Sequence, residues 1–198
     1  VANDVAIGNP TCCLLVTGSN MSGKSTLLRS IGLNLSLAQM GSPVCAIHWE
    51  SPPLRVMTSM RVSDSLDQGV SFYFAELQRL KEIVDMVRDR ADPAQPQILF
   101  LLDEILQGTN SRERHIAVQQ VLTHLLEEGA MGAVSTHDLD LAHIEPLRSA
   151  CRAVHFRETI EKTKMGLSMD FDYRLRDGIA TTTNALQLLE IVGLTNLS

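Results

Sequence analysis

A glycine-rich corner between an apolar run and a helical pattern constrains this sequence more than any other feature. Residues 14–30 read LLVTGSNMSGKSTLLRS, with two glycines five residues apart, then a lysine and two hydroxyl residues. The apolar run from Thr11 to Thr17 predicts a buried strand, and the pattern from Lys24 to about Gln39 predicts a helix. The spacing is that of the G-x-x-x-x-G-K-[ST] loop, in the strand-then-helix context that this motif requires.

A corner of this kind binds the phosphates of a nucleotide. Its glycines let the backbone curl so that N–H groups point inward, and the following helix adds the positive end of its dipole. We expect Lys24 to contact the β- and γ-phosphates, Ser25 to coordinate Mg²⁺ and Thr26 to donate to the α-phosphate. The alternative is a glycine-rich turn with an incidental lysine. The predicted nucleotide-binding residues of the loop are Gly18, Ser19, Asn20, Met21, Ser22, Gly23, Lys24, Ser25 and Thr26.

An apolar strand that ends in two carboxylates predicts the second half of the site. Residues 98–104 read ILFLLDE, which places Asp103 towards Mg²⁺ and Glu104 beside it towards an attacking water. Without the glycine-rich loop, such a pair would suit a solvated strand end. His137 in AVSTHD ends the following predicted strand, where it can hydrogen-bond a γ-phosphate or the water, or be structural. The predicted catalytic residues are Lys24, Glu104 and His137, and the predicted metal ligands are Ser25 and Asp103.

Alternating strand and helix patterns predict an α/β fold with a mixed, mostly parallel sheet flanked by helices. The order of a strand ending in Asp-Glu, a helix and a strand ending in histidine resembles the ATP-binding-cassette class of P-loop NTPases. Alternation over 169–175 predicts a half-exposed strand in a hairpin with 154–160, and Asn110 with Glu113 resembles a capping box. Further predicted elements are strands at 44–47, 54–61 and 132–136, helices at 71–90 and 111–128, and a last helix from about Thr183.

Composition limits the partners and the compartment. We interpret this chain, which lacks an initiator methionine, as an excised C-terminal portion of a longer protein. Its net charge of -6 indicates that any contact with nucleic acid is made by other parts of that protein. No apolar run approaches the roughly 20 residues of a membrane span, so we expect no membrane contact from this chain. Its cysteines form no CxxC pair, which favours reduced thiols in a cytoplasmic protein over zinc or disulfides. These cysteines are Cys12, Cys13, Cys45 and Cys151.

Longer stretches resemble the ATPase domain of the MutS family of DNA mismatch-repair proteins, in the same order and over nearly the whole chain. The similar segments are VANDV, TGSNMSGKST, TSMRVSDSLDQGVSFYFAEL, LLDEILQGTNS and STHD. The resemblance implies that residues 1–198 are the C-terminal ATPase domain of a longer protein. It also implies a homodimer in which each ATP lies between two subunits, with DNA bound by other domains.

Ser71, at the start of the predicted long helix, matches the signature serine of that family. The resemblance implies that it contacts the γ-phosphate bound by the partner subunit, and a hydroxyl at a helix N-terminus suits an anion. Alternatively, Ser71 only caps its own helix. The sequence departs from the family pattern at Leu106 and Gln107, where glycine and arginine are usual, and at Phe72, where threonine is usual. These departures indicate a divergent branch.

The expected function is therefore a Mg²⁺-dependent ATPase that hydrolyses ATP to ADP and phosphate and drives a conformational change in a dimeric, mismatch-repair-like parent. A transporter-type ATPase is one alternative, although the LSGGQ signature of that class does not occur. An ATP-dependent switch without a role in DNA repair is the other. Trp49 and the aromatic residues 72–74 are interpreted as packing residues. By resemblance, Val1 and Asn3 help to form the base pocket.

Overall fold

Strands and helices alternate along the chain in the computed structural model, which describes residues 1–60, 72–90, 95–163 and 166–180. The strands are β1 (Cys13–Thr17), β2 (Leu54–Met60), β3 (Gln97–Asp103), β4 (Met131–Ser135), β5 (Cys151–His155), β6 (Glu158–Thr163), β7 (Gly166–Phe171) and β8 (Arg176–Asp177). The helices are α1 (Lys24–Gln39), α2 (Phe72–Arg88), α3 (Ser111–Glu127) and α4 (Leu147–Ala150), with a 3-10 turn at Asp140–His143. The helix predicted from Thr183 lies outside the described residues.

The main sheet has six strands in the order β2-β3-β4-β1-β5-β8. Its first five strands pair in parallel, and β8 pairs antiparallel with β5. The expectation of an α/β fold with a mostly parallel sheet is confirmed. Because β3, β4 and β1 are adjacent and parallel, their carboxyl ends meet at one edge of the sheet. Asp103 at the end of β3 pairs in register with Ser135 of β4, and Ser135 pairs with Val16 of β1.

Helices cover both faces of this sheet because its central strands are apolar on both sides. The alternation of side chains in β1 sends Leu14 and Val16 to the face covered by α1, and Cys13 and Leu15 to the opposite face. The α1 face packs Leu27, Leu28, Ile31 and Leu35 on the sheet. The opposite face packs Leu80, Ile83 and Val87 of α2 and Val118, Leu122 and Leu125 of α3 on the sheet. The loop at the end of β1 is thereby anchored by a strand and a helix that are both buried.

The capping box predicted for α3 is confirmed only at its Asn110 half. Asn110 adopts an extended backbone, and its side-chain oxygen accepts a hydrogen bond from the Glu113 N–H at 2.9 Å. The Glu113 carboxylate accepts from the Thr109 hydroxyl at 2.6 Å, and this contact lowers the pKa of Glu113. A fixed start for α3 limits the length of the loop that follows Glu104.

The strand predicted at 44–47 is wrong. The chain bends there, Ile47 is fully exposed, and the Cys45 N–H donates to the Asn34 side chain of α1 at 2.6 Å instead of to a neighbouring strand. A short apolar run therefore gave a false strand signal. Trp49, in the same loop, is partly buried against the α1 face and donates to Ser51 at 3.0 Å, as expected for a packing residue.

The predicted hairpin is correct only in part. Strands β6 and β7 pair antiparallel as a separate two-stranded sheet, whereas residues 151–155 join the main sheet beside β1. The second strand ends at Phe171, and Tyr173 takes a left-handed φ of 54° that no strand can continue. The expected burial of the aromatic start of α2 also fails at Phe74, which is exposed, although Tyr73 packs against the core.

No helix among the described ranges is long and apolar enough to cross a membrane.

The close approach of β3 and β4 gives a stability prediction. A Cβ at Gly132 would overlap the backbone carbonyl oxygen of Phe100, its register partner, so Gly132→Ala must push two central strands apart. We expect a loss of at least about 3 kcal/mol in the free energy of unfolding, measured by urea denaturation.

Gly32→Ala in α1 is the matched control. Its Cβ would lie 2.8 Å from the end of the flexible Leu101 side chain, and alanine gains about 1 kcal/mol of helix propensity over glycine. A change within about 1 kcal/mol is therefore expected. Equal losses in the two variants would contradict the assignment of the strand contact.

Candidate functional site

The loop between β1 and α1 curls through three left-handed residues. Gly18 has φ 137°, Met21 has φ 68° and Gly23 has φ 108°. A Cβ at Gly18 would lie 3.0 Å from the carbonyl oxygen of Phe156, so neither the backbone conformation nor the space suits a larger residue there. Met21 is an exposed non-glycine residue at the tip of the loop. The predicted corner is thus a tightly curled loop that leads directly into α1.

Polar groups of the loop suit an anion. The residue that precedes helix α1, Gly23, has no side chain to cap it, and the first turn of the helix holds no acidic residue. The hydroxyls of Ser19 and Ser22 are buried without a hydrogen-bond partner among the described residues. Unpaired donors beside the positive end of a 16-residue helix favour a bound anion such as a phosphate group. Ser25 is half-buried and Thr26 exposed in the first turn.

The Lys24 side chain points back into the loop and is only 3% exposed. Its ammonium donates to the carbonyl oxygens of Gly18 and Ser19, each at 3.0 Å, and pairs with Glu104 at 3.1 Å. A buried ammonium needs such partners because the transfer of an unpaired charge from water is costly. Lys24 therefore joins the loop after β1 to the turn after β3.

Ser135, at the end of β4, is the residue of this site that sequence reasoning missed. Its buried hydroxyl donates to Asp103 Oδ1 at 2.5 Å and accepts from the Glu104 N–H at 3.1 Å. Asp103 is itself buried, so this hydrogen bond orients its carboxylate. The sequence signal for Ser135 is its position as the polar residue that ends the otherwise apolar strand β4.

Glu104 receives contacts on both carboxylate oxygens. Oε1 lies 3.1 Å from the Lys24 ammonium and 2.9 Å from His137 Nε2, and Oε2 accepts from Gln107 at 2.6 Å. His137 Nε2 also lies 3.0 Å from the side-chain oxygen of Asn20. Since both neighbours of Nε2 are acceptors, this nitrogen carries the hydrogen. Three side chains, one from the segment after each of β1, β3 and β4, thus converge on one carboxylate.

The pKa of Glu104 is lowered from 4.5 to about 2 by these contacts. The hydrogen bond from His137 is the largest cause, the Lys24 ammonium adds to it, and partial burial opposes both. The carboxylate is therefore ionised throughout the neutral range. A permanent negative charge at this point balances the buried positive charge of Lys24.

Other predicted residues stand apart from this cluster. Ser71 lies outside the described residues, so its role stays a prediction. Asn3 donates to the Tyr173 carbonyl oxygen at 2.9 Å and accepts from the Leu175 N–H at 2.7 Å, while Val1 is exposed. Asn3 thus ties the N-terminal segment to the chain beyond β7. All four cysteines are free thiols.

The depressed pKa of Glu104 makes acid stability a test of this geometry. A carboxyl whose folded-state pKa is below its unfolded value stabilises the fold above about pH 4.5, and that contribution is lost as pH falls towards 2. We expect Glu104→Gln to flatten the fall of the unfolding free energy between about pH 5 and 3, measured by urea denaturation at each pH. Glu127→Gln, at an exposed position of α3, should retain the original slope. Identical slopes for the native chain and Glu104→Gln would contradict the contacts described.

Comparison with known proteins identifies relatives of this chain. The DNA mismatch repair protein MutS of Natronomonas pharaonis is 32% identical over 181 residues, covering 90% of this chain and 20% of the relative. MutS of Thermotoga petrophila is 28% identical over 199 residues, covering 98% of this chain and 23% of the relative. The MutS protein homolog 4 of Mus musculus is 29% identical over 187 residues, covering 93% of this chain and 19% of the relative.

The chain spans about a fifth of the length of these curated relatives. Its sequence also matches the family model described as MutS domain V over residues 14–197, which is nearly the whole chain. The glycine-rich loop, the Asp-Glu strand end and the histidine all lie inside the matched range. The chain belongs to the MutS family, and it carries domain V of that family.

Proposed function

We propose that this chain binds ATP with Mg²⁺ and hydrolyses it to ADP and phosphate, as a P-loop domain of the ATP-binding-cassette type. The observation that carries the proposal is the convergence of Lys24, His137 and Glu104, whose charged or polar atoms meet within 3.1 Å. A cation on a phosphate-binding loop, an ionised carboxylate and a histidine N–H are the groups that phosphoryl transfer to water needs.

The loop supplies the phosphate contacts in this proposal. Its backbone N–H groups, the uncapped start of α1 and the hydroxyls of Ser19 and Ser22 donate to phosphate oxygens. Lys24 adds a positive charge that reaches the β- and γ-phosphates, and Thr26 donates to the α-phosphate. The remaining proposed contacts are made by Gly18, Asn20, Met21, Gly23 and Ser25.

The oxygen donors at this site suit a Mg²⁺ ion that takes most of its other ligands from the bound nucleotide. Among the parts of the chain that the structure describes, no group of three or more His, Cys, Asp or Glu side chains could hold a metal by itself. Asp103 and the Ser25 hydroxyl offer oxygen ligands, which suit Mg²⁺ shared with phosphates. Bound there, the ion would neutralise phosphate charge. Ser135 orients Asp103 for this role.

Glu104 is the proposed base. As water attacks the γ-phosphorus, a new P–O bond forms, the bond to the ADP oxygen breaks, and the Glu104 carboxylate accepts a proton from the water. His137 donates its Nε2 hydrogen to Glu104 here, and from the same position it can donate to the attacked phosphate. Gln107 holds the second oxygen of the carboxylate and fixes its orientation.

The proposed role of the parent protein is supported by the names of its relatives. Two of them carry the name DNA mismatch repair protein, which supports a parent that binds DNA and uses ATP to change conformation. This acidic chain is a poor surface for DNA, so DNA contact belongs to other domains. We further propose a homodimer in which Ser71 of one subunit completes the nucleotide site of the other.

Two substitutions separate binding from chemistry. In the full-length protein, Lys24→Ala should weaken ATP binding by at least about tenfold, because a buried cation is removed from the phosphate site. Glu104→Gln should bind ATP normally but lower kcat by about 100-fold or more, because an amide cannot accept the proton. Calorimetry and steady-state hydrolysis measure the two effects. Normal turnover by Glu104→Gln would show that the base lies elsewhere.

The dimeric site can be tested by mixing two inactive proteins. Lys24→Ala keeps Ser71, and Ser71→Ala keeps the loop, so one of the two sites in a mixed dimer is intact. Hydrolysis should therefore return on mixing. We expect about half of the native rate per dimer if all dimers are mixed, and about a quarter if pairing is random. Each variant assayed alone is the control. No recovery, with mixed dimers verified by a tag on one subunit, would leave Ser71 as a helix cap.

A further inference from the structure

The turn that follows Asp103 is held in an unfavourable backbone conformation. Glu104 has φ 50° and Leu106 has φ 61°, so two non-glycine residues within three positions are left-handed. Large side chains rarely adopt this region, and they persist there only where the surroundings fix them. The turn that presents the proposed base therefore needs external support.

Two backbone N–H groups of the turn donate to acceptors on other elements, which supply that support. The Glu104 N–H donates to the carbonyl oxygen and to the hydroxyl of Ser135, both at 3.1 Å. The Leu106 N–H donates to Glu76 Oε1 at 2.7 Å. Ser135 belongs to β4 and Glu76 to α2, so the turn is clamped from the sheet on one side and from a helix on the other.

Glu76 is an unusual residue to place in a core. It is buried, Oε2 has no hydrogen-bond partner among the described residues, and burial raises its pKa. An apolar side chain of the same size would fill this space without the cost of a carboxyl group that is only half satisfied. What the carboxyl group provides is the acceptor for the Leu106 N–H.

A second contact joins α2 to the same loop. A Cβ at Gly108 would lie 2.9 Å from the Cβ of Tyr73, which is the distance at which a neighbour must shift. Tyr73 and Glu76 are three residues apart and so lie on the same side of α2. The helix thus holds residues 106–108 at two points.

We infer that Glu76 is a positioning residue for the site: its carboxyl oxygen fixes the Leu106 backbone and so holds the turn in which Glu104 meets Lys24 and His137. The inference rests on the proposed function for its catalytic consequence. Glu76 touches no reacting atom. It acts only by holding Glu104 in place. Because Glu76 lies on α2, the position of this helix also determines where Glu104 lies.

The test compares two replacements of Glu76 in the full-length protein. Glu76→Gln keeps a carbonyl acceptor for the Leu106 N–H, whereas Glu76→Met keeps the volume and removes the acceptor. We expect Glu76→Met to lower kcat by on the order of 10- to 100-fold, since misplacing a catalytic group by about 1 Å has effects of that size. The Kd for ATP should stay within about twofold, because the loop after β1 is untouched. Glu76→Gln should retain kcat to within about threefold.

Hydrogen exchange provides a readout that does not depend on activity. Exchange of the backbone amides at 104–109, followed by mass spectrometry, should accelerate in Glu76→Met and stay unchanged in Glu76→Gln. Glu82→Met, on the exposed side of α2, is the matched control and should alter neither kcat nor exchange. If the methionine variant does not fold, Glu76→Leu replaces it, with thermal denaturation as the check on folding.

The outcomes separate this inference from the proposed function. If the native protein does not hydrolyse ATP, the proposed function is wrong, and the exchange data still decide whether Glu76 holds the turn. Unchanged exchange and unchanged kcat in Glu76→Met would overturn the inference. An equal loss of kcat in Glu76→Gln and Glu76→Met would overturn it as well, because the acidic group itself, and not its acceptor oxygen, would then be required.

Discussion

Burial of the Lys24 ammonium is the constraint on which the arrangement of this site depends. A charge so far from water must be paired and hydrogen-bonded, because an unpaired buried charge lowers the free energy of unfolding by several kcal/mol. The carbonyl oxygens of Gly18 and Ser19 and the carboxylate of Glu104 meet that need. Two of these partners come from the loop after β1 and one from the turn after β3. The ion pair therefore exists only if the ends of these two strands are held close together.

Strand order provides that proximity. Strand β4 lies between β1 and β3, and its last residue, Ser135, is in register with both neighbours. Ser135 uses this central position to hold Asp103 through its hydroxyl and Glu104 through its backbone and hydroxyl oxygens. His137 follows two residues later and reaches the same carboxylate. Three adjacent parallel strands thus deliver a cation, two carboxylates and an imidazole to one edge of the sheet.

Features encoded by neighbouring residues could be predicted from the sequence, and features that depend on distant pairing could not. The loop at 18–26 and the Asp-Glu strand end are contiguous motifs, so their positions between β1 and α1 and at the end of β3 could be predicted. The apolar run at 44–47 has the right composition for a strand, but its Cys45 N–H donates to the Asn34 side chain, and no strand among the described residues pairs with it. Ser135 and Glu76 act on partners about 30 residues away, so only the folded chain reveals their contacts.

The strength of Glu104 as a base is tied to the same ion pair that stabilises the fold. A carboxylate whose pKa is about 2 accepts a proton from water poorly at neutral pH, since basicity falls with pKa. Lys24 is one of the two residues that lower this pKa, and under the proposed function it is also the residue that a phosphate group attracts. Each phosphate oxygen that draws the ammonium away from Glu104 moves the pKa of the carboxyl back towards its ordinary value of 4.5. Binding of the anion would therefore strengthen the base only when the group to be attacked is in place.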